Sequence, residues 1–161
     1  QLAAGIAAAR HPWLLLLHAD TRLAPGWDAE ASRFLSDPAN ARRAAHFRFA
    51  LDSDAPAARR LERAVAWRAR ALGLPYGDQG LLVSARFLAD LGGVKTVPLM
   101  EDVDLVRRIG RRRLVALDAA AVTSAAKWER EGWTIRSARN LLCLGLWFAG
   151  VPPRWIRRVY G

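Results

Sequence analysis

Apolar and polar residues fall in blocks along the chain. The sharpest boundary comes early, where Trp13-Leu14-Leu15-Leu16-Leu17 breaks off at His18-Ala19-Asp20-Thr21. Five large apolar residues with no helical stripe predict a strand covered on both faces, as in a parallel sheet. Further strands are predicted over residues 46–51, 80–84, 114–117 and 121–124. Helical periodicity and capping signals mark 25–35, the strongly amphipathic 57–72, 85–91 and 101–112, and residues 1–10 have helical composition. Strand and helix alternate, so the expected architecture is an α/β sandwich of layers, one domain over 1–161. The chain opens with neither an initiator Met nor a signal peptide. Parallel neighbours for the 13–17 strand are expected upstream of Gln1, so the chain reads as the carboxyl-terminal portion of a longer domain.

The character changes toward the tail, 134–161, which is predicted helical. Residues 140–151 are apolar almost throughout, and after Pro152-Pro153 the residues Trp155, Ile156, Val159 and Tyr160 stand beside Arg154, Arg157 and Arg158. A dozen apolar residues fall short of the about 20 that a spanning helix needs. Two uses follow: a helical hairpin packed on the sheet, or a surface lying among headgroups with Arg toward anionic lipid.

At 161 residues and 52% hydrophobic content, the chain can bury a substantial core. A net charge of +10 invites a nucleic-acid partner. The charge, however, is scattered in pairs such as Arg42-Arg43, Arg59-Arg60 and Arg107-Arg108 over several elements, which describes a solvated surface rather than a groove. No nucleic-acid partner is expected, whereas phosphorylated or anionic-lipid partners are compatible. The single Cys143 lies in an apolar stretch, reads as a small buried hydrophobe and fits a reducing, cytoplasmic setting, with peripheral contact on the inner membrane face as the extension.

Four clusters could carry chemistry. His18 and Asp20 sit at the carboxyl end of the first strand, where ligands collect in open α/β sheets. If strand geometry continues through Ala19, both project the same way and could hold a divalent cation with its phosphates; turn capping by Asp20 and Thr21 is the competing reading. Glu101-Asp102-Val103-Asp104 opens a helix, where acids suit the dipole and Asp104 can pair with Arg108. The adjacency of Glu101 and Asp102 also leaves one carboxylate to orient and one to face a ligand. Tyr76-Gly77-Asp78-Gln79-Gly80 is either a pocket-lining loop or an ordinary turn. In Lys127-Trp128-Glu129-Arg130, the indole offers a platform for a sugar ring and Lys127 and Arg130 could meet phosphate; a mixed-charge helix start is the alternative.

The order of these segments, from Gln1 to Gly5 through Leu-His-Ala-Asp-Thr-Arg (17–22), Tyr-Gly-Asp-Gln-Gly (76–80), Pro-Leu-Met-Glu-Asp-Val-Asp-Leu (98–105) and Lys-Trp-Glu-Arg-Glu-Gly-Trp (127–133), resembles the family-two inverting glycosyltransferases of the GT-A fold. It is most similar to a small bacterial subgroup in which His replaces the first acid of Asp-X-Asp. The resemblance implies a GT-A-like mixed, mostly parallel sheet flanked by helices. It implies a nucleotide-diphosphate sugar as donor and a hydroxyl acceptor. It implies Asp20 as ligand of a divalent cation, Mg or Mn, and Asp102 as catalytic base with Glu101 beside it. Asp78 and Gln79 match the loop that shapes the sugar and acceptor pocket. Lys127 and Trp128 are similar to a basic-Trp pair near the leaving group, with Arg130 following. His18 stands where the wider family has Asp, so contact with ribose or phosphate is its alternative role. The family's first strand and base-binding acids have no counterpart in this sequence, and no His follows His46, so the cation would rely on Asp20, diphosphate oxygens and water. A metal-dependent nucleotidyl or phosphoryl transferase, and a non-catalytic membrane-docking domain, are the competing functions.

Overall fold

Period-two burial in two short strands organises the sheet. In the computed structural model, which describes residues 2–161 and leaves Gln1 outside the described residues, β4 (Leu81–Ser84) sends Leu81 and Val83 into one apolar cluster and Leu82 into another. β3 (Ala44–Leu51) commits Ala44 to the first face and Ala45, Phe47, Phe49 and Leu51 to the opposite one. Around them lie β1 (Trp13–Leu16), β5 (Leu114–Thr123) and β2 (Thr21–Leu23), giving the order β1-β4-β3-β5-β2.

The α/β architecture is as expected, but the sheet is not mostly parallel. Only β3 and β5 run parallel; β1 with β4, β4 with β3, and β5 with β2 are antiparallel. β1 is moreover an edge strand in which Leu14 alone is buried. Its uniform apolarity has another cause. Leu14 and Leu16 pack with Phe87, Leu88, Leu105 and Ile109 on one side, while Trp13 and Leu15 pack with Ala31 and Phe34 on the other. A strand flanked by helices on both faces needs apolar residues at every position whether its partner is parallel or antiparallel.

The strands predicted at 114–117 and 121–124 are one strand. Between His46↔Ala116 and Arg48↔Ala120 the register slips, a bulge that leaves the Asp118 amide to donate to Glu30 Oε2 at 3.2 Å. Thr21–Leu23, for which the sequence offered no strand, pairs antiparallel with β5 as β2, and the Thr21 hydroxyl hydrogen-bonds that of Thr123 at 2.8 Å across the pair.

Helices fall close to their predicted ranges: α1 (Leu2–Ala8), α2 (Trp27–Ser36), α3 (Pro56–Leu72), α4 (Ala85–Asp90) and α5 (Glu101–Ile109). Ser84 caps α4 by accepting from the Phe87 amide at 3.1 Å. Gly73 ends α3 at φ 64°, and a Cβ there would lie 2.7 Å from Arg111 Cβ, so both the turn and the close approach need glycine. After the short α6 (Ala126–Glu131), the tail is helical as expected, with α7 (Trp133–Phe148) and α8 (Pro153–Tyr160), and Cys143 and Ile156 are fully buried where α7 and α8 pack together.

Phe47 is fully buried at the centre of the second cluster. Phe47→Ala is expected to lower the unfolding free energy by about 3–5 kcal/mol, read from urea denaturation.

Candidate functional site

The strand ends at Leu16, so alternation does not carry through Ala19 as expected. Instead residues 18–21 form a turn in which the Thr21 amide donates to the His18 carbonyl at 3.1 Å. The turn separates the two side chains. The His18 imidazole lies against Gly77, where a Cβ would come within 2.3 Å of Nε2, and the Asp20 carboxylate pairs with Lys127 Nζ at 3.4 Å. The turn is closed by the backbone, the Thr21 hydroxyl is used across the strand pair, and the carboxylate of Asp20 stays open to solvent.

Asp102 comes to the same place from the other end of the chain. Its Oδ2 accepts from the Gly77 amide at 2.8 Å and its Oδ1 from the Val103 amide at 2.8 Å, fixing the carboxylate between the start of α5 and the 76–80 loop. The residue that begins this helix, Met100, has φ 69° and is the one non-glycine with positive φ among the described residues. Strain of this kind costs on the order of 1–3 kcal/mol and gathers at functional sites. Asp104 is spoken for by Arg108 at 2.8 Å and Lys95 at 2.8 Å, which leaves Glu101 and Asp102 as the acids facing the cavity.

Two adjoining cavities result. A small one of about 50 Å³ is walled by Leu17, His18, Tyr76, Gly77, Glu101 and Asp102. An open cleft of about 1660 Å³ runs along the uncovered edge of β1, past His18, Asp20, Glu101 and Lys127 to Arg157 on α8. His18 and Glu101 line both, while Asp102 lines one and Asp20 the other of these two adjoining cavities.

Beneath the loop lies a buried polar network. Arg68 of α3 stacks 3.4 Å over the Tyr76 ring, and donates to the Leu74 carbonyl at 2.9 Å and to Gln79 Oε1 at 3.4 Å. Gln79, 2% exposed, donates in turn to the Phe47 carbonyl at 3.1 Å and meets His46 Nδ1 at 3.3 Å. Burial holds the His46 pKa below the ordinary histidine value, and it pushes the Tyr76 phenol up to about 12 against the pull of Arg68. Asp78 is the group under most tension. Burial lifts its carboxyl to about 6; Arg68 lowers it, Asp102 raises it further, His18 lowers it and Asp20 raises it, in decreasing order. Its Oδ1 is enclosed and has no hydrogen-bond partner.

The expected site residues thus divide. His18, Asp20, Glu101, Asp102 and Lys127 line the adjoining cavities, and Asp78 lies within electrostatic reach of His18, Asp20 and Asp102. Gln79 is an internal brace of the loop. Trp128 is 8% exposed in the third apolar cluster, with Arg136 4.9 Å over its ring, so its indole forms core rather than a sugar platform facing the cleft. Arg130 points to solvent beside Glu131 and lines neither cavity. Sequence reasoning missed Arg68 and Arg157. Arg68 is one of several arginines on an amphipathic helix and Arg157 one of three on α8, so spacing could not single them out.

Among the described residues no group of three or more His, Cys, Asp or Glu side chains is arranged to hold a metal ion. A solvent-facing carboxylate such as Asp20 fits the other way of binding Mg or Mn, through one carboxylate together with phosphate oxygens and water.

Asp78 has a folded pKa above its ordinary value, so its contribution to stability is full below about 4 and is lost as pH rises through about 6. Asp78→Asn should flatten that slope in urea titrations and add about 2–3 kcal/mol at about pH 8. Comparison with known proteins finds no matching family model, no matching curated protein and no matching solved structure.

Proposed function

We propose that this chain binds a nucleotide-diphosphate sugar in the open cleft and transfers the sugar, with inversion, to an acceptor hydroxyl presented near Asp102. The observation that carries the reading is the meeting of two acidic segments, far apart in sequence, on two cavities that adjoin at His18 and Glu101. Asp102 is fixed by the Gly77 amide at one side, and Asp20 and Lys127 face the cleft at the other. The motif order resembling inverting glycosyltransferases supports the same reading.

In this mechanism the acceptor oxygen attacks the anomeric carbon as the bond from that carbon to the diphosphate oxygen breaks. The electron pair leaves with the diphosphate, and the hydroxyl proton passes to the Asp102 carboxylate. Two backbone amides already orient that carboxylate, and each oxygen keeps a lone pair for the incoming proton. Lys127 and Arg157 line the cleft and offset the charge of the departing diphosphate. Asp20 would hold a divalent cation, which supplies Lewis-acid stabilisation of the leaving group when bound. His18 sits at the junction of the cavities, where a neutral imidazole can hydrogen-bond ribose or phosphate.

The test is release of nucleoside diphosphate from a panel of nucleotide-sugars. Asp102→Asn keeps an acceptor oxygen for Gly77 and gives up only the local bond from the Val103 amide, so it should fold and bind donor in calorimetry while turnover falls about 10²–10⁴-fold. Release of pyrophosphate instead would assign the cleft to nucleotidyl transfer, and undiminished turnover in the variant would move the base elsewhere.

A further inference from the structure

α7 is turned inside out relative to a helix that meets water. Beside the buried Cys143, its charged residues turn away from solvent: Arg136, 7% exposed, donates to Glu131 Oε1 at 2.9 Å and to the Tyr160 hydroxyl at 3.2 Å, and the half-buried Arg139 donates to Glu131 Oε2 at 2.9 Å. Its exposed positions are Thr134, Ile135, Ala138, Leu141, Leu142, Gly145 and Phe148. These recur at spacings of three, four and seven, so they form one continuous stripe, and none is charged. Leu141 is 67% exposed, Ile135 63% and Leu142 54%. Of the ten large hydrophobic residues exposed among the described residues, six lie on α7 and α8, namely Ile135, Leu141, Leu142, Phe148, Trp155 and Val159. Concentration of this kind marks a contact surface rather than scattered surface apolarity.

Charge says what the surface meets. From Gly132 to Gly161 the chain has five arginines and neither Asp nor Glu. The arginines that do not turn inward or toward the cleft stand beside aromatic rings: Arg158 lies 4.4 Å and Arg154 6.0 Å from the Trp155 ring. Arg107 of α5 lies 5.3 Å from the rings of both Trp147 and Phe148 at the carboxyl end of α7. An uncharged apolar stripe bordered by paired Arg and aromatic groups is the composition of a helix lying in a lipid interface. The 16 residues of α7 amount to roughly 24 Å, and no helix among the described residues is long and apolar enough to cross a membrane, so the contact lies in the membrane plane.

We infer that the α7–α8 surface docks on an anionic bilayer, with Ile135, Leu141, Leu142 and Phe148 among the acyl chains and Arg154, Arg158 and Arg107 at the headgroups. The experiment is co-sedimentation of the whole chain with vesicles of phosphatidylglycerol and phosphatidylcholine, against phosphatidylcholine alone, with sedimentation velocity of the free protein alongside. Binding to the anionic vesicles is expected, weakening with salt. Leu142→Asp, on the exposed face, should keep the wild-type melting temperature and lower the partition coefficient about tenfold or more. Arg154→Gln and Arg158→Gln should each lower it about fivefold. Equal partitioning onto neutral vesicles, wild-type partitioning of the Leu142→Asp chain, or failure of the wild type to sediment with anionic vesicles would overturn the inference. So would a dimer in solution that Leu142→Asp dissociates, which would make a second copy of the chain the occupant of this face. None of these readouts depends on the transferase reading.

Discussion

The hydrogen bond from the Gly77 amide to Asp102 Oδ2, at 2.8 Å, is the joint on which the site is built. It ties the loop before β4 to the first turn of α5, two segments that the chain separates by β4, α4 and a further loop. Without a side chain at position 77 the His18 ring closes onto the same point, so three stretches of sequence meet within one small volume. Glycine is needed there for room: its φ is not among the positive ones, and the contact is with the imidazole. Gly80, at the other end of the loop, has φ 60° and lies against Leu17 and Phe47, which links the loop to the sheet core.

That joint holds because what lies below it is rigid. Gln79 spends its amide on Arg68, Phe47 and His46, and Arg68 in turn covers the Tyr76 ring, so the floor of the site is a hydrogen-bonded plug between α3 and β3. A hydrogen-bonded plug of this kind specifies one arrangement where an apolar floor would tolerate several, although the buried Tyr76 hydroxyl has no partner in it. The cost is collected at Asp78, whose carboxyl is crowded by burial and by Asp102 and is only partly offset by Arg68. Groups shifted by burial together with a specific charge partner cluster at functional sites.

The same fold presents two unequal surfaces. The uncovered edge of β1 borders a wide cleft that carries charged groups, Asp20, Lys127 and Arg157, among apolar ones, whereas the exposed stripe of α7 carries no charge. α8 belongs to both. Tyr160 receives Arg136 and Arg139 from α7, Arg157 lines the cleft, and Arg154 and Arg158 accompany Trp155. A short amphipathic helix can serve both because its residues leave the axis every 100°.

Local pattern alone determined the α/β class, the ranges of α2 to α5, the helical tail, the buried Cys143 and the pairing of Asp104 with Arg108, because each depends on periodicity or on neighbours three or four residues away. Strand direction was not legible. A run apolar at every position reports that both faces are packed, and β1 satisfies that as an antiparallel edge strand. Nor could spacing separate Lys127, which faces the cleft, from Trp128, which fills core, since adjacent residues on a helix diverge by 100° and only packing chooses the inward one. The tertiary structure alone decided that Gly77, Asp102 and His18 converge, that Gln79 braces rather than faces the cavity, and that Arg68 and Arg157 stand apart from the other arginines. These are contacts between residues distant in sequence, and the sequence records the chemistry of each partner but not the pairing.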